Sequence, residues 1–246
     1  MKLEKEIYKY LQGEEFSNSL TLDITREKII PATRENAILN IIKGSDVIHL
    51  GCADHVGIID EKIQSGRWLH KLITDNSKSC FGIDISSGGI AYMKDKLGYS
   101  NVKQADVVTD TIEEISSKNW DWVVFGELIE HLDNPVEFLS TFKKRFGPVI
   151  KRFLITVPSV YTALQCRNIK NYREVINSDH RFWFTPYTIC RLLVSAGYSP
   201  ESIDFANLQS LDKLSLVIRK LRKLAGMKIG YPYYYFNTII ITGTLE

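Results

Sequence analysis

The 246-residue chain lacks the features that mark several specialised classes of protein. It has no apolar run near the roughly 18 residues of a transmembrane span, and its charged start, MKLEKEIYKY, is unlike a signal peptide. Its formal net charge of +2 demands no polyanionic partner, so DNA is not expected as a ligand. Low-complexity tracts and internal repeats are also missing. These absences predict a cytoplasmic globular protein.

Cysteine is scarce too, with four residues spread over the chain. Three of them lie in apolar runs, and their wide spacing matches neither a zinc cage nor a disulfide framework. We therefore expect reduced, buried thiols at Cys52, Cys80, Cys166 and Cys190.

The chain does contain an alternation of short apolar strands and helix-length segments. Strands are predicted at 46–51, 80–84, 101–106, 121–126 and 152–158, and helices at 66–76 and from Pro135 to about Arg145. Such an alternation predicts βαβ units and a parallel sheet covered on both faces. Residues 1–43 are predicted to be a helical and irregular segment, which leaves 44–246 as the main domain.

Small or acidic residues stand at the ends of these five strands: Gly51, Asp84, Asp106, Glu127 and Pro158. Each of them alone is an ordinary turn residue. In a parallel sheet, however, ligands bind beyond the carboxyl ends of the strands. These five residues together therefore predict a ligand site at one edge of the sheet. The alternative is that they only form the turns that follow the strands.

This pattern resembles the class I S-adenosylmethionine-dependent methyltransferases over roughly residues 30–200. The resemblance implies a Rossmann-like α/β fold with a seven-stranded, mostly parallel sheet, an antiparallel last strand (within 231–243) and helices on both faces. It also implies that Asp84 takes the ribose hydroxyls of the cofactor and that Asp106 faces its adenine. The implied cofactor-binding residues are Gly51, Cys52, Ala53, Asp84, Ile85, Asp106, Val107, Gly126 and Glu127.

The first turn, HLGCADHVG, departs from that family's acidic-x-Gly-x-Gly-x-Gly motif. His49, Ala53 and His55 replace the acidic residue and the second and third glycines, and Gly51 alone remains. Alanine still admits a close backbone, whereas His55 predicts a reshaped loop, and the residues before Trp68 resemble an insertion. A Rossmann dehydrogenase is the rival, but it requires Gly-x-Gly-x-x-Gly, which this turn lacks.

The segment FGELIEHLDNP (125–135) places two carboxylates and an imidazole directly after the fourth strand. One interpretation is metal-free: Glu127 lies near the methionine end of the cofactor and Glu130 caps a turn. The general base is then His131 or His180. The other interpretation is a cation site, because one helical turn brings Glu127, Glu130 and His131 together, and such ligands suit Mg²⁺, Mn²⁺ or Fe²⁺.

Followed by DHRFWFT (179–185), this motif resembles the small-RNA 3′-terminal 2′-O-methyltransferases, and its first half resembles the ubiquinone-biosynthesis O-methyltransferases. In both families a divalent ion holds two neighbouring hydroxyls of the acceptor. The resemblance implies Mg²⁺ or Mn²⁺ bound by Glu127, Glu130, His131 and His180. Glu127, His131 and His180 are also the candidate catalytic residues.

Residues outside these motifs are given lesser roles. His49 and His70 are expected to pack and His55 to line the altered loop. Arg34 precedes the first strand and is expected to be solvated; the alternative, implied by the resemblance, is that it reaches the cofactor carboxylate, as related enzymes sometimes do. Tyr231, Tyr233 and Tyr234 are candidates for contact with the acceptor.

A basic segment, 213–230, lies within a predicted helical insertion at about 211–230. We expect a helix docked beside the last strands. Attraction to an anionic acceptor and weak contact with a membrane surface are the alternatives.

Together these features predict an O-methyltransferase that uses S-adenosylmethionine on a small hydroxylated acceptor, such as a sugar, a sugar nucleotide or a surface-polysaccharide precursor. The 3′-terminal ribose of an RNA is the alternative acceptor, and it is disfavoured because no separate RNA-binding domain is visible. The altered first turn supports a different class, a non-catalytic binding protein with a degenerate methyltransferase fold. The sequence predicts neither the oligomeric state nor whether oxygen or nitrogen takes the methyl group.

Overall fold

The computed structural model describes residues 1–24, 32–209, 221, 224 and 231–245. Within them the helices and strands follow one another as α1 (Lys5–Gln12), α2 (Arg34–Ile42), β1 (Asp46–Leu50), α3 (Val56–Gln64), α4 (Leu69–Asn76), β2 (Ser79–Asp84), α5 (Ser87–Asp95), β3 (Val102–Gln104), α6 (Glu113–Ser116), β4 (Trp120–Gly126), α7 (Pro135–Phe146), β5 (Ile150–Pro158), α8 (Ala163–Lys170), α9 (Pro186–Ser195), β6 (Ser199–Leu208) and β7 (Phe236–Thr244).

A seven-stranded sheet with the order β3-β2-β1-β4-β5-β7-β6 forms the frame of the fold. Strands β1 to β5 pair in parallel, and β7 runs antiparallel to both of its neighbours, β5 and β6. The predicted α/β class, the parallel sheet and the antiparallel last strand are confirmed. The strand order reverses between β1 and β4, and such a switch point opens a crevice at the carboxyl ends of the strands.

The predicted elements form with displaced ends that have local causes. Helix α4 begins at Leu69 rather than at residue 66, because Gly66 adopts a left-handed φ of 66° and Trp68 is extended. Strand β7 begins at Phe236 rather than at residue 231, after Pro232 and a 3-10 turn. The predicted insertion before Trp68 contains α3.

Apolar side chains cover both faces of the sheet. Successive strand residues point to opposite faces, so Val47 and Ile48 of β1 belong to different clusters. Helices α2 and α4 cover one face, and α7 and α9 cover the other. Of the predicted buried thiols, Cys52, Cys80 and Cys190 are buried and Cys166 is exposed, because it lies on α8, which packs weakly.

Helix starts on either side of the crevice are well defined. Asn134 caps α7 by accepting from the Glu137 amide (3.2 Å), and Pro135 takes the first helical position. Thr185 forms a capping box with Thr188 at the start of α9. These caps fix where the loops before α7 and α9 end, and both loops contribute to the site described below.

The N-terminal segment packs on the sheet domain through Ile7 and Leu11 of α1, close to α9. The division at residue 43 stays a prediction. No helix in the described part of the chain combines the length and apolar composition that crossing a bilayer requires. Most of the predicted basic segment lies outside the described residues; within it, Leu221 and Leu224 are exposed.

Candidate active site

A cavity of about 1020 Å³ opens at the carboxyl ends of β1, β2, β4 and β5. Its walls include the strand-end residues Gly51, Asp84, Glu127 and Pro158, together with residues 177–181 from the loop before α9. Small-molecule sites usually enclose roughly 300–1,000 Å³, so this cavity has room for a nucleoside-sized ligand and an acceptor. Four of the five strand-end residues singled out from the sequence therefore line one site.

The turn after β1 contributes Gly51 and Cys52 to the cavity wall. Gly51 has a φ of 72°, which residues with a side chain rarely adopt. Its amide donates to the Ile83 carbonyl (2.9 Å), which ties the turn to β2. Cys52 is buried and lines the cavity, whereas Ala53 is buried away from its walls. Burial raises the pKa of the Cys52 thiol, so the thiol stays neutral.

The loop that follows this turn is held by contacts of Asp54 and places His55 at the rim; its reshaping relative to the family stays a prediction. Asp54 adopts a left-handed φ of 60°, pairs with Lys62 of α3 and accepts from the His55 amide (2.8 Å). The His55 side chain is 79% exposed and stands at the rim of the cavity. A histidine in place of the third glycine is thus accommodated by turning its side chain outward.

Asp84 ends β2 at the cavity wall with a fixed carboxylate. One oxygen accepts from the Ala53 amide and the other from the Ser86 amide, both at 2.9 Å. Each carboxylate oxygen can accept a further hydrogen bond. Asp84 is therefore arranged to receive two neighbouring hydroxyl groups.

Asp106 and two other predicted cofactor residues do not line the cavity. The Asp106 carboxylate accepts from the Val108 amide (2.8 Å), within its own loop. Val107 is buried and Ile85 is largely exposed. The structure brings Gly51, Cys52, Asp84, Gly126 and Glu127 together in the cavity, but not these three or Ala53.

Arg34 is not solvated, contrary to the expectation from sequence. Its side chain is 12% exposed, lines the cavity, and pairs with Glu127 and with Glu35 (3.2 Å). Burial opposes the guanidinium charge, but the two carboxylates outweigh it and raise the Arg34 pKa. Glu127 itself holds a left-handed φ of 53°, and its amide donates to the Thr156 carbonyl (3.0 Å). Strained backbone of this kind clusters at functional sites.

His49 and His70 form a buried pair at the inner wall of the cavity. Their Nδ1 atoms are 3.2 Å apart and their rings are stacked. Burial lowers the pKa of both rings, to about 4 for His70, and the neighbouring His70 lowers that of His49 further. Both rings are therefore neutral, and the wall carries no charge where the family motif has an acid. The packing role predicted for them agrees with this burial.

Glu130 is fully buried in a 3-10 turn, Ile129–His131, between β4 and α7. Neither carboxylate oxygen has a hydrogen-bond partner among the described residues, so the predicted turn-capping role is not seen. Burial raises the Glu130 pKa to about 8. A buried carboxyl without partners is costly, and it gains from a proton or a cation.

His131 and His180 complete a group with Glu130, in which each residue offers a ligand atom within 4.8 Å of the others. The two rings meet edge to face, 4.7 Å between centroids. Burial, and then His131, lower the His180 pKa, so this imidazole is neutral. The fourth predicted ligand, Glu127, is not in the group because it is paired with Arg34.

Asp179 belongs to the site and was not singled out from the sequence as a functional residue. One carboxylate oxygen lies 3.3 Å from Nδ1 of His131 and 3.7 Å from Nε2 of His55. The Arg181 amide donates to the Glu130 carbonyl (2.7 Å), which joins the same loop to the 3-10 turn. The only signal in the sequence is the position of Asp179 directly before His180.

Comparison with protein families identifies the class. A family model described as a methyltransferase domain matches residues 26–203, most of the chain. A comparison with curated proteins finds no significant match. The chain therefore belongs to the methyltransferase domain family.

Solved structures agree at the level of the fold. A methyltransferase from Archaeoglobus fulgidus has 18% identity and a TM-score of 0.50, covering 86% of this chain and 91% of that one. A possible histamine N-methyltransferase from Thermotoga maritima has 17% identity and a TM-score of 0.52, covering 86% and 87%. The small RNA methyltransferase HEN1 has 16% identity and a TM-score of 0.54, covering 92% of this chain but 27% of that one.

The fold, the cavity and the family model together define a class I methyltransferase. The protein is thus an S-adenosylmethionine-dependent enzyme, which favours catalysis over the non-catalytic alternative. The structural neighbours are named for different acceptors, so they leave the acceptor of this enzyme open.

Proposed function

We propose that this enzyme transfers the methyl group of S-adenosylmethionine to a hydroxyl oxygen of a small acceptor with neighbouring hydroxyl groups. A sugar, a sugar nucleotide or a surface-polysaccharide precursor has this chemistry. The observation that carries the proposal is the buried Glu130 carboxyl, without a partner in the described part of the chain, beside His131 and His180 at the cavity wall.

These three side chains fit a divalent cation. One carboxylate with two imidazoles suits Mn²⁺ or Fe²⁺, and also a catalytic zinc, rather than a thiolate-bound structural zinc; Mg²⁺, which prefers oxygen ligands, would need water or acceptor oxygens to complete its shell. When bound, such a cation lowers the pKa of an alcohol oxygen and fixes its position. Glu130, His131 and His180 would hold it, and three protein ligands leave room for two acceptor oxygens. Glu127, tied to Arg34, would not be a ligand.

The histidines also provide a route for the proton. The Asp179 carboxylate lies 3.3 Å from Nδ1 of His131, and a carboxylate there favours the proton on Nδ1, which leaves Nε2 with its lone pair. His180 is neutral, and its Nδ1 is buried without a partner among the described residues. Either nitrogen can take the hydroxyl proton in a site that binds no cation, and we assign this general-base role to His131 or His180 in that case.

Cofactor recognition is assigned to the cavity residues at the ends of β1, β2 and β4. Asp84 would accept from the ribose hydroxyls, and the backbone at Gly51, Cys52 and Gly126 would lie against the cofactor. S-adenosylmethionine supplies a methyl group on a positively charged sulfur, so the protein must mainly align it with the acceptor oxygen. Four other residues stay predicted cofactor residues: Ala53, Ile85, Asp106 and Val107. Because Asp106 lies outside the cavity walls, the adenine of the cofactor would have to extend beyond them to reach it.

We assign the Arg34–Glu127 pair to binding of the methionine part of S-adenosylmethionine. A guanidinium beside a carboxylate offers partners for both ends of an amino-acid zwitterion, the α-carboxylate and the α-ammonium. Glu127 would then act in cofactor binding and alignment rather than in proton transfer. This assignment explains why a left-handed glutamate is kept where glycine would relieve the strain.

The 3′-terminal ribose of an RNA is the second candidate acceptor. It has the same neighbouring hydroxyls, and the Glu-x-x-Glu-His and Asp-His motifs resemble those of small-RNA methyltransferases. A labelled RNA with an intact terminal diol, compared with its 3′-deoxy form, separates the two candidates. Strong, salt-dependent RNA binding and methylation of the intact terminus would replace the small acceptor.

The test combines metal binding with methyl transfer from labelled cofactor to a panel of sugars and sugar nucleotides. We expect chelation to remove transfer and Mg²⁺ or Mn²⁺ to restore it. Glu130→Gln should lose Mn²⁺ binding, measured by electron paramagnetic resonance, while it keeps cofactor binding and thermal stability. Glu137→Gln, an exposed acid at the start of α7, is the control.

Two outcomes would contradict the proposal at different points. Full activity after exhaustive chelation would discard the cation and leave the methyltransferase assignment intact. No measurable cofactor binding by calorimetry at millimolar S-adenosylmethionine would contradict the cofactor site itself.

A further inference from the structure

The segment between β5 and α9 presents hydrophobic side chains to solvent that the cavity does not use. None of the eight described residues of α8 is buried. Five hydrophobic side chains in and after this helix are exposed, from Ile176 at 39% to Tyr172 at 99%. We name these residues the α8 surface: Leu164, Ile169, Tyr172, Val175 and Ile176. Exposed apolar clusters of this kind mark interaction sites.

The α8 surface is held in place by hydrogen bonds. The Gln165 side chain donates to the Val175 carbonyl (2.7 Å), and the Arg173 amide donates to the Asn168 carbonyl (2.9 Å). Tyr172, at the turn between them, has a left-handed φ of 55°. This conformation ends the helix, because the Tyr172 amide donates to the Ile169 carbonyl (3.0 Å) in the usual helix-terminating pattern. The exposed ring contributes nothing to packing in the described part of the chain, so it is free to contact a partner.

Positive charge outweighs negative charge around the α8 surface, where Glu174 is the one exposed acid between residues 164 and 176. Arg167, Lys170 and Arg173 are exposed among the hydrophobic residues. The sequence from 159 to 173 contains no aspartate or glutamate, and Glu174 is the first acid after it. A partner must therefore combine negative charge with an apolar layer.

We propose that the α8 surface docks on an anionic lipid surface. Aliphatic side chains enter the boundary between headgroups and acyl chains, and basic residues beside them gain from anionic headgroups. Single-stranded RNA also carries the negative charge that these basic residues would attract. It binds by stacking its bases on aromatic rings, however, and Tyr172 is the only aromatic residue of the α8 surface. A second copy of the chain, in a two-fold contact, would bring the three cations against their equivalents.

Docking would set the orientation of the active site. The segment that follows the α8 surface, residues 177–181, lines the cavity. The cavity mouth would then lie near the headgroups. The proposal concerns binding, and it holds whatever the acceptor is.

Flotation with vesicles tests the proposal on the full chain. Wild-type protein should float with phosphatidylcholine vesicles that contain phosphatidylglycerol, and much less with pure phosphatidylcholine. The double variant Leu164→Ser/Ile169→Ser should bind at least roughly tenfold more weakly, because two aliphatic insertions are lost. Phe16→Ser, which removes an exposed aromatic of the N-terminal segment, is the matched control.

Two further experiments test the role of charge and report directly on insertion of the α8 surface. Arg167→Gln/Lys170→Gln/Arg173→Gln should lose the preference for anionic vesicles, whereas Lys43→Gln/Lys94→Gln/Lys96→Gln should keep it. Tyr172→Trp should shift its emission to shorter wavelength on anionic vesicles. Because all of these side chains are exposed, circular dichroism should show unchanged folding.

Three results would overturn the proposal. The first is wild-type protein that does not bind anionic vesicles, or that binds them no better than the double variant does. The second is binding of single-stranded RNA, without vesicle binding, that the α8 variants lose. The third is a lipid-free dimer, seen by analytical ultracentrifugation, that Leu164→Ser/Ile169→Ser dissociates.

Discussion

Arg34 pairs with Glu127, and this contact joins the first residue of α2 to the end of β4 at the cavity wall. The backbone of Arg34 is fixed as well, because its amide donates to the side chain of Asn207 (2.8 Å). A buried cation held this firmly beside an anion is a preorganised site for a charged ligand. The pair therefore gives a direct test of where the methionine part of the cofactor lies.

Arg34→Gln removes the charge and should weaken S-adenosylmethionine binding by roughly 10- to 100-fold, the loss expected for one charged hydrogen-bonding partner. Calorimetry measures the change, and thermal unfolding checks that the variant is folded. Arg67→Gln, which removes an exposed arginine before α4, should leave the affinity unchanged. An unaltered affinity in Arg34→Gln would place the methionine part elsewhere.

The fold and the row of strand-end residues could be predicted because they follow from local patterns. Apolar runs of strand length alternate with helices, and in a parallel sheet the ends of such strands meet at one edge. Arg34 could not be predicted in the same way. Its burial depends on how α2 docks against β6 and β4, and neither Glu127 nor Asn207 is near it in sequence.

Among the predicted metal ligands, too, some positions could be predicted from the sequence and one could not. Glu130 and His131 are adjacent in sequence, so any conformation keeps them close. Glu127 was expected to join them on one turn of α-helix, but the chain forms a 3-10 turn that begins only at Ile129. The left-handed φ of Glu127 precedes that turn, and its side chain pairs with Arg34 instead. Spacing alone could not reveal this change of backbone conformation.

Asp84 should contribute more to cofactor affinity than any other carboxylate at the ribose end. Asp84→Ala removes two acceptors and should cost about 1.5–3 kcal/mol of binding free energy, measured by calorimetry. Asp84→Asn keeps the shape and one acceptor, so a smaller loss is expected. If both variants bind the cofactor as wild type does, the ribose is not at Asp84. Asp106→Ala, tested in parallel, reports whether the adenine reaches the loop after β3.

Asp179 is predicted to act through His131 and to leave cofactor binding alone. Asp179→Asn keeps the size of the side chain but removes the charge that orients the imidazole. Loss of a carboxylate that contacts a metal-binding histidine typically changes metal affinity by roughly 10–100-fold, and we expect Mn²⁺ binding to weaken within that range. Asp179→Glu should restore part of it.

The control for Asp179 is Asp133→Asn, an exposed acid that pairs with Arg181 of the same loop. If both variants weaken Mn²⁺ binding equally, the effect comes from the loop as a whole. A change in cofactor affinity in Asp179→Asn, measured by calorimetry, would likewise contradict a role confined to His131.

The buried His49–His70 pair should make the fold sensitive to acid. His70 has a pKa of about 4 in the folded protein, lowered by burial from an ordinary value of 6.5. Between these values the unfolded chain binds a proton that the folded protein does not, so stability rises with pH in this window and falls on acidification. The His70 contribution is fully present above about pH 6.5, and acidification to about pH 4 should remove on the order of 3 kcal/mol of it. Glu130, whose pKa is raised to about 8, contributes with the opposite sign as the pH falls from 8 to 4.5, so the His70 effect is read as the difference between wild type and a His70 variant. Urea unfolding at a series of pH values measures it.

His70→Gln should reduce this dependence, whatever its effect on stability at neutral pH, because glutamine does not titrate. Burial, the main cause of the lowered His49 pKa, remains, so part of the dependence should stay. His55→Gln, which replaces an exposed histidine, serves as the control and should follow the wild type. An acid dependence in His70→Gln as steep as that of the wild type would mean that other groups cause it. A weaker dependence of the unfolding free energy on pH would show that the His49–His70 pair, which stands where the family motif has an acid, is compatible with a stable fold only while both rings are uncharged.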